Sequence, residues 1–416
     1  MSPDAEQSLG VFWDEQEVGR LERVGEQSWE YAFGYTQSSR AVSLSLPMRH
    51  ESFTPAETRP FFEALLPEGQ VREQIADRLK LAGSDSYGLL AELGRDCAGA
   101  LQIGAEQRMS EAPSVRWLDD DELDAFIAAL PRHPLGVSTE DRHLRLSLAG
   151  VQNKAVLVRD DDGRFGKPLD GMASSHILKP EPAHAEFPGL AVNEYFCMRL
   201  ATSVGLPTAA VELITAASRP CLVVRRFDRE HTGWPRRRLH QEDLCQALGL
   251  LPDFKYQREG WRLPSYLALA ELLDEHSSQP GLDRLAGARA AVFHFLVGNA
   301  DAHAKNISLL YVDDGVQLAP LYDVVSTAAY PELSSELSLS VGDELDPQAI
   351  TSIHWSDLAD DFGLRARAFE GARRQLGEQV VDEALRLQTQ AQAEGWHHSC
   401  IDAIVDVIQA RAPRVV

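Results

Sequence analysis

Asp301-Ala302-His303-Ala304-Lys305-Asn306 is the stretch on which the reading of this chain turns. It sets an acid five residues ahead of an asparagine. A second acid, Asp323, follows two apolar runs, Leu309 to Val312 and Val316 to Ala319, joined by Asp313-Asp314-Gly315 in the manner of a β-hairpin. A carboxylate that can take a proton from a hydroxyl, with an amide oxygen and a second carboxylate suited to a hard divalent cation, is the set phosphoryl transfer needs.

Each residue also has an ordinary reading. Asp301 alone would cap a helix or complete a turn. Asn306 would be a turn residue ahead of a strand, and Asp323 a carboxylate paired with an arginine. Asp323, however, lies between Leu318 to Leu321 and Val324-Val325. An acid among apolar neighbours needs a partner, and magnesium would be one. The 301-to-306 spacing equals the Asp-to-Asn spacing of the protein-kinase catalytic loop.

The chain has 416 residues, 44% hydrophobic and 25% charged, enough for two or three domains with their own cores. No apolar run approaches the roughly 18 residues of a membrane span, and the acidic Met1-Ser2-Pro3-Asp4-Ala5-Glu6 lacks a signal peptide's basic start. A cytoplasmic location without a membrane partner is the expectation. Cys97, Cys197, Cys221, Cys245 and Cys400 are scattered and form no C-x-x-C, which reads as reduced thiols rather than disulfides or a zinc site. A net charge of −23 disfavours nucleic acid over the general surface and suits a basic protein partner. Arg236-Arg237-Arg238, the densest basic run, reads as a solvated loop.

Residues 1–108 read as a small mixed α/β subdomain. It holds a hairpin around Asp14 to Glu17, a strand at Ser43-Leu44-Ser45-Leu46 and helices near Phe61 to Leu66 and Val71 to Leu81. A tight loop, Gly94 to Ala100, then leads into a strand at Leu101-Gln102-Ile103. Residues 109–143 read as a connection with one helical stretch, Leu118 to Leu130. From 144 the pattern changes to strands at Leu144 to Leu148, Lys154 to Val158 and Ser175 to Lys179, a helix at Val192 to Val204 and a strand at Cys221 to Val224. That is the order of a kinase N-lobe, ending near residue 228, and mostly helices follow to 416. The fold class is α+β: the small subdomain, then a two-lobed protein-kinase-like fold with a mostly helical C-terminal lobe.

Three further segments bear on a nucleotide. Lys179 ends an apolar strand, where a kinase lysine meets phosphates and pairs with a helix glutamate; Glu194 is the candidate partner. Ser147 to Lys154 is a small-residue turn whose backbone N–H groups could cradle phosphate, although by itself it reads as a hairpin turn. Arg225 to Phe227 follow a strand where backbone groups could meet adenine.

These segments together resemble the HipA family of serine/threonine protein kinases, the toxin half of HipA–HipB toxin–antitoxin pairs. The likeness runs through Ser43 to Pro47, Leu65-Leu66-Pro67, Gly94-Arg95-Asp96, Ser147 to Lys154, Asn193-Glu194-Tyr195, Arg226-Phe227-Asp228-Arg229, Gln241 to Gln246, Asp301 to Asn306 and Tyr322-Asp323. It implies Asp301 as proton acceptor, Asn306 and Asp323 as magnesium ligands, and Lys179 as the ATP lysine. It further implies Ala149, Gly150, Val151, Gln152, Asn153 and Lys154 as the phosphate loop and Arg225, Arg226 and Phe227 as the adenine hinge. His303, Ala304, Lys305, Asn306 and Tyr322 would complete the nucleotide site, and Ser147 would be the autophosphorylated serine that silences the kinase. The resemblance implies ATP and Mg2+ as cofactors, a HipB-like helix-turn-helix antitoxin, DNA reached mainly through that antitoxin, and a translation protein such as glutamyl-tRNA synthetase as substrate. Two positions depart from the family pattern: Arg225 stands where an acid is expected, and Asn153 where Gln-Glu is expected at 152–153. A small-molecule phosphotransferase of aminoglycoside type and a non-catalytic corepressor are the alternatives.

Overall fold

A computed structural model describes residues 8–25, 27, 29–36, 40–105, 112–135, 154–182, 187–313 and 315–416. The chain divides into two compact units. One holds Met1–Pro180, Thr215–Arg219 and Val223–Pro252; the other holds Glu181–Ile214, Pro220–Leu222 and Asp253–Val416.

In the first unit, β1 (Ser8–Trp13) and β2 (Gln16–Arg23) form the expected hairpin. With β3 (Tyr31–Tyr35) and β4 (Leu101–Gly104) they make an antiparallel sheet ordered β3-β2-β1-β4. Helices α1 (Pro55–Ala64), α2 (Gly69–Leu79) and α3 (Ser86–Leu93) follow β3. Thr54 and Glu57 start α1 with a reciprocal capping box, and on its buried face Phe62 packs against Phe33. Lys80, in the left-handed region at φ 58°, stops α2.

The alternation at Ser43 to Leu46 predicts a strand, but the segment is a turn in which Leu46 N donates to Ser43 O at 3.2 Å. The Glu242 carboxylate accepts from Ser43 Oγ at 2.5 Å and from Leu44 N at 3.0 Å. A buried carboxylate that claims a backbone donor competes with a strand ladder for it.

The second sheet is ordered β5-β7-β6-β8-β10-β9, from β5 (Ser114–Trp117), β6 (Ala155–Arg159), β7 (Phe165–Leu169), β8 (His176–Pro180), β9 (Val211–Ala216) and β10 (Arg219–Arg225), and the short β11 (Gln241–Asp243) follows in the chain. Between β5 and β6 in sequence lies α4 (Asp120–Ala129), capped by Asp119 and Glu122. The strand expected at Leu144 to Leu148 lies outside the described residues.

An ion cluster is buried in this unit. Arg226 reaches Asp228 through Nε at 2.9 Å and Nη2 at 2.7 Å, and Arg229 Nη1 meets the same carboxylate at 2.9 Å. Arg229 and Arg238 donate to Asp96 Oδ1 at 2.9 and 3.2 Å, and Gly99 N donates to Asp228 Oδ2 at 2.7 Å. Burial alone would raise both acids, yet the arginines hold Asp96 and Asp228 below the usual carboxylate range. His240 is fixed nearby as a neutral ring: Nε2 donates to Val42 O at 2.8 Å and Nδ1 accepts from Ala100 N at 3.3 Å.

The second unit is mainly helical. It contains α5 (Leu190–Ser203), α6 (Tyr266–His276), α7 (Pro280–Val297), the β12 (Ser308–Val312) and β13 (Gly315–Leu318) hairpin, α8 (Ser352–Asp361), α9 (Ala366–Glu394) and α10 (Ser399–Arg411). Helix α7 packs against α6, α9 and α10 through residues that include Phe293, Phe295 and Leu296. Beyond Leu318 the described residues carry helices and no named strand, so the α+β class with a helical C-terminal part holds. Among the described residues no helix is long and apolar enough to cross a membrane.

Removing one acid from the cluster leaves buried guanidinium groups without their counter-charge. Asp96→Asn should lower stability by about 3–5 kcal/mol, read as a fall in the urea midpoint; an unchanged midpoint would show that the cluster is not needed.

Candidate active site

Helix α7 ends because Gly298 takes φ 72° and returns its N–H to Phe295 O. A Cβ at this position would stand 2.6 Å from Ala328 Cβ and 2.8 Å from Val407 Cγ1, so only glycine fits. The next residues are pinned one by one. Asn299 donates from Nδ2 to His294 Nδ1 at 3.2 Å, and its Oδ1 accepts from Asp301 N at 2.9 Å. Burial holds the His294 pKa down at about 4, which keeps Nδ1 an acceptor at neutral pH. Thr327 Oγ1 accepts from Ala300 N at 2.8 Å and donates to Gly298 O at 3.1 Å, and Ser338 Oγ donates to Ala300 O at 2.6 Å.

Anchored this way, Asp301 leaves its side chain 54% exposed. Tyr256 Oη donates to Asp301 Oδ1 at 2.8 Å, and His303 Nε2 lies 4.0 Å from the same oxygen. Ala304–Asn306 form a 3-10 turn, in which Asn306 Nδ2 donates to Asp301 O at 3.0 Å. With the amide nitrogen committed there, the amide oxygen is what Asn306 can offer a cation.

The β12–β13 hairpin brings the chain back to this turn. Tyr322 Oη donates to Lys305 O at 2.7 Å and lies 2.7 Å from Ser308 Oγ. Leu321 is gripped by Pro207 O and Ala209 N, both at 2.8 Å. Three residues past Asp323, Asn193 of α5 holds Ser326 with two bonds: Nδ2 donates to Ser326 O at 3.0 Å and Oδ1 accepts from Ser326 N at 2.8 Å. Between these clamps Asp323 adopts φ 55°, an uncommon conformation for a residue with a Cβ and one that clusters at functional sites. Among the described residues no group of three or more His, Cys, Asp or Glu could hold a metal alone. An amide oxygen and a carboxylate instead suit magnesium, which takes few protein oxygens and fills its shell with phosphate and water.

The second unit thus gathers Asp301, His303, Ala304, Lys305, Asn306, Tyr322 and Asp323, and also holds Glu194, buried on α5. Lys154, Lys179, Arg225, Arg226 and Phe227 belong to the first unit. Lys179 is buried on β8, and Arg225 is exposed at the end of β10. Arg226 spends its guanidinium in the ion cluster, gives its N–H to Ser175 O at 3.0 Å and accepts His231 Nε2 on its carbonyl at 2.7 Å. Ser147 and Ala149 to Asn153 lie outside the described residues. Tyr256, Asn299 and Thr327 carry no motif in the sequence, and Asn193 enters there only as a segment of the resemblance.

A model described as the HipA N-terminal domain matches residues 9–104, and one described as the HipA-like C-terminal domain matches 146–384, more than half the chain. The chain belongs to the HipA family. It is 41% identical over 367 residues to the putative kinase Y4mE of Sinorhizobium fredii, covering 86% of each chain. It is also 29% identical over 373 residues to the serine/threonine-protein kinase toxin HipA of Shewanella oneidensis, covering 84% of this chain and 83% of that one. The structure of HipA from Shewanella oneidensis MR-1, solved with HipB and operator DNA, superposes with a TM-score of 0.80 at 24% identity over 98% of this chain and 97% of that one. At that identity the likeness shows the fold. The protein is a HipA-family serine/threonine-protein kinase.

Two outcomes follow. Asn193→Ala removes both bonds to buried Ser326 and should cost about 2 kcal/mol, with a lowered phosphotransfer rate in kinetic assay; unaltered stability and rate would show that the clamp is idle. His294 and His240, both held at about 4 against an ordinary 6.5, stay neutral in the folded state while the unfolded chain takes up protons first. Their contribution is therefore full above pH 6.5 and lost as pH falls from 6.5 to 4, which urea titrations across that window should record as a falling midpoint; a flat profile would contradict the neutral rings.

Proposed function

We propose that this HipA-family kinase uses ATP and Mg2+ to phosphorylate a serine or threonine of a translation protein, and that it acts as the growth-arresting toxin of a toxin–antitoxin pair. The observation that carries the reading is the exposed Asp301 carboxylate on a loop fixed at both ends, with Asn306 bonded to the backbone of the same residue. Asp301 accepts the proton of the acceptor hydroxyl. Asn306 and Asp323 supply the oxygens for magnesium, which when bound neutralises charge on the transferred phosphate. Tyr322 keeps the 3-10 turn and the Asp323 segment together. Lys179, Lys154 and the loop 149–153 bind phosphates, the backbone of Arg225 and Phe227 meets adenine, and His303 to Lys305 complete the nucleotide site.

Regulation rests on Ser147 and on a partner. A phosphate on Ser147 brings close to two negative charges to the phosphate loop, where it repels ATP. The antitoxin is a HipB-like helix-turn-helix protein through which DNA is reached; the solved relative carries HipB and operator DNA, and a net charge of −23 suits a basic partner. An aminoacyl-tRNA synthetase, glutamyl-tRNA synthetase by resemblance, is the substrate, and the cytoplasm the place of action.

Phosphoproteomics after induction tests this. Wild type should raise one phosphoserine or phosphothreonine on a translation protein and arrest growth, and Asp301→Ala should do neither; growth arrest by Asp301→Ala would overturn the reading.

A further inference from the structure

Tyr256 lies 45 residues before Asp301, and its hydroxyl still ends on the Asp301 carboxylate, 2.8 Å from Oδ1. This is not a loose surface contact. The preceding residue accepts Ala304 N on its carbonyl at 3.0 Å, and the following residue, Gln257, donates to Ser338 O at 2.9 Å and accepts Ser340 N on Oε1 at 2.8 Å. Ser338 in turn holds Ala300 O. The ring packs edge-on to His303 with centroids 5.2 Å apart. Tyr256 is therefore built into the frame that carries Asp301, and it is 41% exposed.

A hydroxyl donating to a carboxylate oxygen at this distance is the geometry a general base needs with its acceptor, about 2.6–3.2 Å. In this contact the phenol hydroxyl is the donor and the carboxylate oxygen the acceptor. Phe254, Trp261 and Leu263 are exposed along the same segment, with the Phe254 and Trp261 rings 5.7 Å apart.

We propose that Tyr256 is a positioning residue for the acceptor: its hydroxyl holds the seat on Asp301 that the substrate serine or threonine hydroxyl takes, and the substrate must displace it. This rests on the kinase reading above. The phenol acts as a selective barrier. Water competes poorly for a seat already filled by a hydroxyl on a braced ring, whereas a protein segment that also covers Phe254 and Trp261 offsets the lost hydrogen bond. No covalent step involves Tyr256.

The test uses full-length Tyr256→Phe, which keeps the ring and removes only the donor. Two acceptors are compared: water, read as Mg2+-dependent ATP hydrolysis, and a degenerate peptide mixture centred on serine. The expected result is several-fold faster hydrolysis and a several-fold lower peptide KM, with the KM for ATP unchanged. Unchanged kinetics, a fall in kcat at constant KM, or phosphotyrosine at position 256 in wild type would overturn the proposal. Fluorine NMR of fluorotyrosine-labelled protein reads the contact without turnover. The resonance absent from Tyr256→Phe should shift in Asp301→Asn, and no shift would overturn the contact itself. A shift together with no phosphate transfer by wild type to any acceptor would instead overturn the kinase reading, and with it the role given to the phenol.

Discussion

The carbonyl oxygen of Gly298 accepts from Thr327 Oγ1 and from Ala328 N, while Thr327 Oγ1 accepts from Ala300 N. One small node thereby joins the end of a buried helix, the loop that carries Asp301 and the segment that follows Asp323. In the proposed roles, a proton acceptor and two cation ligands drawn from separate segments would be useful only if held before substrate arrives, because ordering them during the reaction would add to the barrier. The glycine is forced by backbone conformation and by the closeness of Ala328 and Val407. Asn193 and Pro207 to Ala209 extend the same bracing to the far side of Asp323.

The first unit solves a different problem. Its buried Asp96, Arg226, Asp228 and Arg229 would be costly singly, and together they satisfy one another and the backbone around Cys97 and Gly99. They link the loop after α3 to the segment after β10. Several residues that carry the likeness to the HipA family thus hold the fold. Arg226 is the clearest case, since its side chain, amide and carbonyl are all engaged inside the unit.

What could be read from the sequence was local. Asp301, Asn306 and Asp323 stood out because a fixed spacing and a short hairpin bring them together with no distant partner. The β1–β2 hairpin was legible for the same reason. The turn at Ser43 to Leu46 was misread because Glu242, almost 200 residues away, takes its donors. Strands Ser114–Trp117 and Val211–Ala216 escaped notice because much of each stays exposed or half-buried, so neither shows a clean apolar face. Tyr256 and Thr327 become visible only once the chain has folded back upon Asp301, and nothing in their neighbours marks them.

The central claim, that Asp301 is the proton acceptor of a phosphotransfer site, is tested most directly by γ-labelled ATP with Mg2+ and the purified full chain. Wild type should transfer label to itself or to a protein acceptor. Asp301→Asn, which keeps the size of the side chain and its exposed place on the loop, should bind nucleotide with unchanged affinity and transfer none. Transfer by Asp301→Asn at the wild-type rate would contradict the account.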